Sequence, residues 1–323
     1  MKRMRLITCL CAAVVTLFLS SQGSSAKPLR ISYAIWVGNG PFFVAEQKGF
    51  FANEGVEVEM INAEIGGAQQ LFDRQVDAMP ASIDTGVVYV ESDERLVCAL
   101  ALDESLGGDG IVANDDIGTI ADLEGKVVAF QSRTTPQFYL NVLLEEAGLS
   151  EADIEVVDLG GQDAGEAFLL QEVDAAVTWE PWLSQGKNVD HGHLLSDSSQ
   201  HPGLIVDCLF TTPDVFNERK AEFQALARAW DAAVAYIDAH PEEANAIMAR
   251  EVGGWLEDPA VFADTLDGIR FYDAERNREY FGTPENPGQV YDTVQKVIDV
   301  YSHVGLLEAD VTPADFVAHG VWE

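Results

Sequence analysis

The stretch "IADLEGKVVAFQSRTTPQFYLNVLLEEAGL", residues 120–149, decides the architecture. Lys126 to Gln131 is a short run of strand-forming residues. Ser132-Arg133-Thr134-Thr135-Pro136 follows as a turn, with hydroxyls suited to capping and a proline suited to the first helical position. Pro136 to Ala147 then reads as a helix, closed by Gly148. Two further strands follow, at Ile154 to Asp158 and Ala175 to Trp179. Strand, helix and strand in this order are the unit of an α/β sheet.

Upstream, the same alternation runs from Leu29. Strands are expected at Leu29 to Ile35, Val56 to Ile61, Asp77 to Ala81 and Leu96 to Leu102, with helices near Pro41 to Gly49, Ala68 to Arg74 and Thr85 to Glu91. The alternation predicts parallel sheets. A second series spans Gly110 to Val206, and Ser105 to Gly110 and His201 to Phe210 are the expected crossings between two lobes. Beyond them the pattern turns helical. Phe223, Leu226, Trp230, Val234 and Ile237 recur at intervals of three and four, as do Val290, Val294, Val297, Ile298 and Tyr301, so each stretch buries one face.

The first residues carry Lys2, Arg3 and Arg5, an uncharged run from Leu6 to Ser20, then Ser24-Ser25-Ala26. That is the order of a secretory signal peptide cleaved after Ala26. The run is shorter than the about 20 residues of a membrane span. Removing 26 of 323 residues leaves 297, which suit two lobes better than one core. The expected division is a signal peptide at 1–26, lobe I at 27–106 plus 211–323, and lobe II at 107–210.

The formal charge is −35, and loss of the three basic signal residues takes it to −38 (−35 − 3). Such a field repels nucleic acid and anionic membranes and keeps a protein soluble, in concentrated salt included. Cys98 and Cys208 remain after cleavage. An oxidising compartment permits them to pair, whereas the apolar run around each suits an unpaired cysteine acting as a small core residue.

Four segments carry a family resemblance: "ISYAIWVGNGPFFVAEQKGFFANEGVEVEM" (31–60), "GGAQQLFDRQVDAMPASID" (66–84), the opening stretch at 120–149, and "VDAAVTWEPWLS" (173–184). In this order and spacing the chain resembles the nitrate, sulfonate and taurine class of periplasmic binding proteins of ABC importers. The resemblance covers essentially the whole mature length. It implies an α/β, two-lobed periplasmic-binding-protein fold of the type II kind with a doubly crossed hinge. It also implies a ligand held at the carboxyl ends of strands, where open α/β sheets offer helix N-termini.

Candidate ligand-binding residues follow. Ser132, Thr134 and Thr135 could cradle an anion or simply cap a helix, and Gly66-Gly67 forms a second helix start. Trp36 and Trp179 end predicted strands and could wall the cleft. Asn39 lies in the first quoted segment. Asp84, Asp109 and Glu180 stand at strand or crossing ends, where a carboxylate pairs with an ammonium or guanidinium group. Hydroxyls on one loop and carboxylates on others suit a zwitterion, taurine or another aliphatic aminosulfonate. Arg133 interrupts the "STTP"-like turn as "SRTTP". A site dominated by the acids and tryptophans suits a cationic amine or guanidine-like solute instead.

Enzymes occur on related folds, pyrimidine-synthesising ones among them, but no nucleophile elbow, Walker loop or His-Glu-x-x-His pattern is present. His191, His193 and His201 match no standard metal spacing and are expected in a polar surface loop. The reading is of a non-enzymatic, periplasmic, monomeric solute-binding protein without cofactor or metal. Its partners are a small ligand and an ABC-transporter membrane permease.

Overall fold

The structure is a computed structural model describing residues 27–63, 67–92 and 95–322. Eleven strands frame the site: β1 Leu29–Tyr33, β2 Val58–Asn62, β3 Met79–Ser82, β4 Val97–Ser105, β5 Asp109–Asn114, β6 Val127–Phe130, β7 Glu155–Asp158, β8 Ala175–Trp179, β9 Gly192–Asp197, β10 Val206–Thr211 and β11 Ile269–Phe271.

They form two main sheets. One has the order β11-β4-β10-β3, and beside it β1 and β2 pair in parallel. The other has the order β7-β6-β8-β5-β9. The expectation of parallel sheets holds only in part. β6 pairs in parallel with β7 and β8, while β5 runs antiparallel to β8 and β9, and every pair of the four-stranded sheet is antiparallel. The reason is the double crossing: β4 leaves its sheet and β10 returns to it, so the two must run in opposite directions.

In the five-stranded sheet the side chains alternate cleanly, as a pleated strand requires. Ile111, Ala113, Val128, Phe130, Ala175 and Val177 pack into one core cluster. Val112, Ala129 and Ala176 pack into the cluster on the opposite face. The four-stranded sheet is sandwiched in the same way between helix Lys220–Ala239 on one side and helix Gln289–His303 on the other. These are the two helical faces expected from the heptad-like spacing.

The crossings lie side by side and are held by backbone bonds. The Ser105 amide donates to the Ile205 carbonyl (3.0 Å), and the Leu106 and Gly108 amides both donate to the Gly268 carbonyl (2.8 and 2.9 Å). Gly107 has φ +117°, a conformation that side-chain-bearing residues rarely adopt. The Ser105 and Ser198 hydroxyls meet at 2.7 Å.

Two expectations are corrected here. Cys98 and Cys208 are joined in a buried disulfide between neighbouring strands, with Cα atoms 5.5 Å apart. They are not separate core thiols: the antiparallel pairing of β4 with β10 brings together residues that are 110 apart in the chain. His193 lies inside β9, which hydrogen-bonds to β5, and is not in a loop. His191 meets Phe168 at a tilt of 42°, ring centroids 5.4 Å apart, beside that strand. No cluster of potential metal ligands occurs among the described residues.

Candidate functional site

A cleft of about 270 Å³ opens where the crossings meet the two main sheets. Ala34, Ile35, Trp36 and Ser82 come from the β1 and β3 ends, Ile205 and Asp207 from the second crossing, and Asp109, Gln131, Thr134 to Pro136 and Trp179 from the other sheet. These positions follow β1, close β3 and β8, and begin β5 and helix Thr135–Glu146.

Glycines make room for both indoles. A Cβ at Gly161 would come within 2.1 Å of Trp179 Cζ3, and one at Gly38 within 2.8 Å of Trp36 Nε1. The Thr178 hydroxyl donates to the Gly161 carbonyl at 2.7 Å, which fixes the turn beneath the Trp179 ring. Trp179 meets Trp182 edge-on at 6.2 Å, and Trp182 meets Trp255 at 5.0 Å.

The floor is acidic. In the β4–β10 register Asp103 stands directly opposite Asp207, and in the β3–β10 register Ser82 flanks Asp207 on its other side. Asp109 begins β5 opposite Trp179. Burial pushes the Asp109 carboxyl up to about 6, aided by the charge of Asp84 and opposed by a hydrogen bond with Ser105. Burial also pushes Asp207 up to about 7, with the charges of Asp109 and Asp84 adding to it. Asp103 is raised well above the usual carboxylate range by burial and by Asp207, Asp109 and Glu104. Asp103 Oδ2 has no hydrogen-bond partner among the described residues. The Trp36 indole N–H is likewise a buried donor without a closed hydrogen bond, and it faces Asp207 closely enough to favour that carboxylate's charged form. No Lys or Arg lines the cleft among the described residues.

Of the sequence-derived candidates, Trp36, Asp109, Thr134, Thr135 and Trp179 line this cleft. Asp84 lies just behind it in the first turn of helix Ile83–Val88, buried and bonded by the hydroxyls of Thr135 (3.1 Å) and Tyr301 (3.1 Å). Burial raises its carboxyl too, against these hydrogen bonds. Asn39 is buried and does not line the cleft, its side-chain amide donating to the Ala34 carbonyl at 2.8 Å. Ser132 turns away, its backbone amide donating to Asp158 at 2.9 Å. Glu180 is outside the cleft: its carboxylate accepts from the Ser184 amide (3.0 Å) and hydroxyl (2.7 Å), so it ties down helix Trp182–Lys187. Gly67 begins helix Gly67–Phe72, and Gly66 lies outside the described residues.

The turn that sequence reasoning offered as an anion cradle is largely occupied by the chain itself. The Thr134 hydroxyl donates to the Gln131 carbonyl (2.9 Å), the Thr135 hydroxyl to Ser82 and Asp84 (2.7 and 3.1 Å), and the Arg133 amide to Gln137 (2.7 Å). Arg133 is exposed and adopts φ 62°. Ser82, Asp103 and Asp207 were missed from sequence. The signal for the two acids is an acid set inside an apolar run, "CALALDES" leading into the first crossing and "IVDCLF" in the second.

This fold is shared with solved structures of low sequence identity. The periplasmic aliphatic sulphonate binding protein SsuA from Escherichia coli superposes with a TM-score of 0.73 at 20% identity, over 91% of this chain and 98% of that one. The periplasmic nitrate-binding protein NrtA from Synechocystis PCC 6803 does so with a TM-score of 0.66 at 18% identity, over 90% and 85%. A chain of Brucella abortus (strain 2308), described as a candidate binding protein, is 24% identical over 238 residues, which are 69% of this chain and 71% of that one. The architecture is therefore the α/β periplasmic-binding-protein fold. The NMT1/THI5-like family model matches residues 37–244, well over half of the sequence, and the chain belongs to that family.

Proposed function

We propose that this chain is an exported, non-catalytic solute-binding protein that delivers a small, positively charged organic molecule to the membrane permease of an ABC importer. The observation that carries the charge assignment is the cleft floor. Asp109 and Asp207 line it and Asp103 stands behind them, with two tryptophans on the walls and no basic residue among the described residues that line it. Buried carboxylates without a cation are costly, and a cationic ligand offsets that cost where the chain does not. Trp36 and Trp179 add the aromatic faces that attract a cation. The volume of about 270 Å³ lies below the range of drug-sized sites and suits a ligand of a few heavy atoms.

Export rests on the amino-terminal segment at 1–26, which lies outside the described residues, and on the likeness to periplasmic binding proteins. The division into lobes at 27–106 plus 211–323 and at 107–210 belongs to this proposal; the presence of two main sheets supports it, although β10, Val206–Thr211, belongs to the four-stranded sheet. A ligand that touches both lobes favours the closed form, which the permease recognises. The protein acts as a monomer in this reading.

A second reading, taurine or a related aminosulfonate, is favoured by one observation. Helix Thr135–Glu146 begins at the cleft, which supports a sulfonate at the Thr135 amide while the acids receive the ammonium. A thermal-shift panel separates the two, because a ligand that binds only the folded state raises its melting temperature. Guanidinium, methylguanidinium and primary amines at millimolar concentration are expected to raise Tm, and nitrate and alkanesulfonates to leave it unchanged. A shift with taurine and with alkanesulfonates, but not with simple cations, would replace the first reading by the second.

A further inference from the structure

We infer that the solute presents N–H donors on at least two sides of its positive charge, as a guanidinium, amidinium or primary ammonium does, and that quaternary ammonium compounds are excluded. This rests on the cationic reading above and narrows it.

Asp103 on β4 and Asp207 on β10 are cross-strand neighbours. Like charges directly opposite each other repel, and their Cβ atoms stand only about 5 Å apart in such a pair. Glu104, the next residue along β4, points to the other face of the sheet and is matched by Arg270. Asp103 has no such partner. It is 2% exposed, its Oδ2 is unbonded among the described residues, and a Cβ at Gly38 would come within 2.2 Å of that oxygen, so the backbone holds it in place. The charged groups that bear on this pair are Glu104 on the same strand, Asp109 on β5 and Asp84 on helix Ile83–Val88, and all are acids. The empty site meets this repulsion by holding protons. A ligand that enters must replace those protons with donors of its own.

A tetraalkylammonium ion cannot do so. It has no N–H, and the sites that recognise it use the faces of aromatic cages, which require no hydrogen bonds. This cleft instead presents acceptors from different directions, Asp207 from β10 and Asp109 from β5, with Gln131 lining it after β6. A planar, forked donor satisfies two carboxylates at once and lies flat against an indole. Sites built around such hydrogen bonds reject analogues that lack the donor, because their own polar groups are then buried unpaired.

The test is titration calorimetry of the purified protein at pH 8 with methylguanidinium, ethylammonium, tetramethylammonium and taurine. The expected result is that methylguanidinium binds at least about a hundredfold more tightly than tetramethylammonium. Asp207→Asn should weaken methylguanidinium more than tenfold while circular dichroism stays unchanged. Binding should also release protons at pH 6, read from titrations in buffers of different ionisation enthalpy, and fewer at pH 8.5. Tetramethylammonium binding as tightly as methylguanidinium, with loss of both in Trp179→Ala, would overturn the N–H requirement and leave the cationic reading standing. Binding of taurine alone, or of none of the three cations at millimolar concentration, would overturn both.

Discussion

Replacing Asp109 by asparagine should make the empty protein more stable and the loaded protein impossible to form. Asp109 is 8% exposed, and its carboxyl is raised from 3.8 to about 6, chiefly by burial. Between those values the folded chain holds a proton that the unfolded chain has released, so the stability contributed by this group falls as pH rises from about 4 through 6. Roughly two units at about 1.4 kcal/mol each give about 3 kcal/mol as the upper limit of the cost of its charge at pH 8. Asparagine is neutral throughout and nearly isosteric. Its carbonyl keeps the bond with Ser105, and its amide gains acidic neighbours as acceptors. The variant should therefore match the parent near pH 4 and exceed it at pH 8 by up to about 3 kcal/mol, a Tm rise of roughly 5 °C for a chain of this size. The assay is thermal unfolding of both proteins without ligand at pH 4.5 and pH 8, paired with methylguanidinium titration at pH 8. An asparagine variant that is less stable than the parent at pH 8, or that differs from it equally at both pH values, would refute the reasoning that Asp109 is held at a cost for the sake of a cation.

Other consequences follow from single contacts. Trp179→Ala should weaken cation binding about tenfold with little loss of stability, since the ring is only half-buried, whereas Glu180→Ala should leave affinity unchanged and lower stability by about 1 kcal/mol through loss of its bonds to Ser184; calorimetry and urea melts distinguish the two. Asp77 binds Arg30 at 3.1 Å and Arg219 at 2.8 Å, joining β1 to the start of helix Lys220–Ala239, so Asp77→Ala should cost about 1 kcal/mol in chemical unfolding by removing both ion pairs, with Arg219 keeping Glu222 and Arg30 keeping the Arg74 carbonyl. Reduction of Cys98–Cys208, which closes a loop of 110 residues, should lower stability by about 4 kcal/mol in urea melts with and without reductant.

Much of the frame was legible because local chemistry and tertiary environment agree. Helix Thr135–Glu146 begins one residue before the proline and ends just ahead of Gly148, which takes φ 77° as the glycine stop implies. The two long helices bury the faces that their apolar spacing marks. What was not legible depended on pairing. "GHLLSD" is a strand because β5 offers it an edge, not because of its own composition. Which face Asp103 takes, and that it meets Asp207, is set by a register between segments about a hundred residues apart, and the disulfide depends on the same register. Glu180 had the right residue type in the right segment. A serine four residues later claims it, and no motif at that position distinguishes a helix tie from a ligand contact.

The most direct measurement of the central claim is a crystal structure grown with methylguanidinium. The cation is expected in the cleft against Trp36 or Trp179, with nitrogens at about 3 Å from Asp109 and Asp207. An anion or sulfonate bound at the amides of Thr134 and Thr135, with both carboxylates left without a ligand contact, would contradict it.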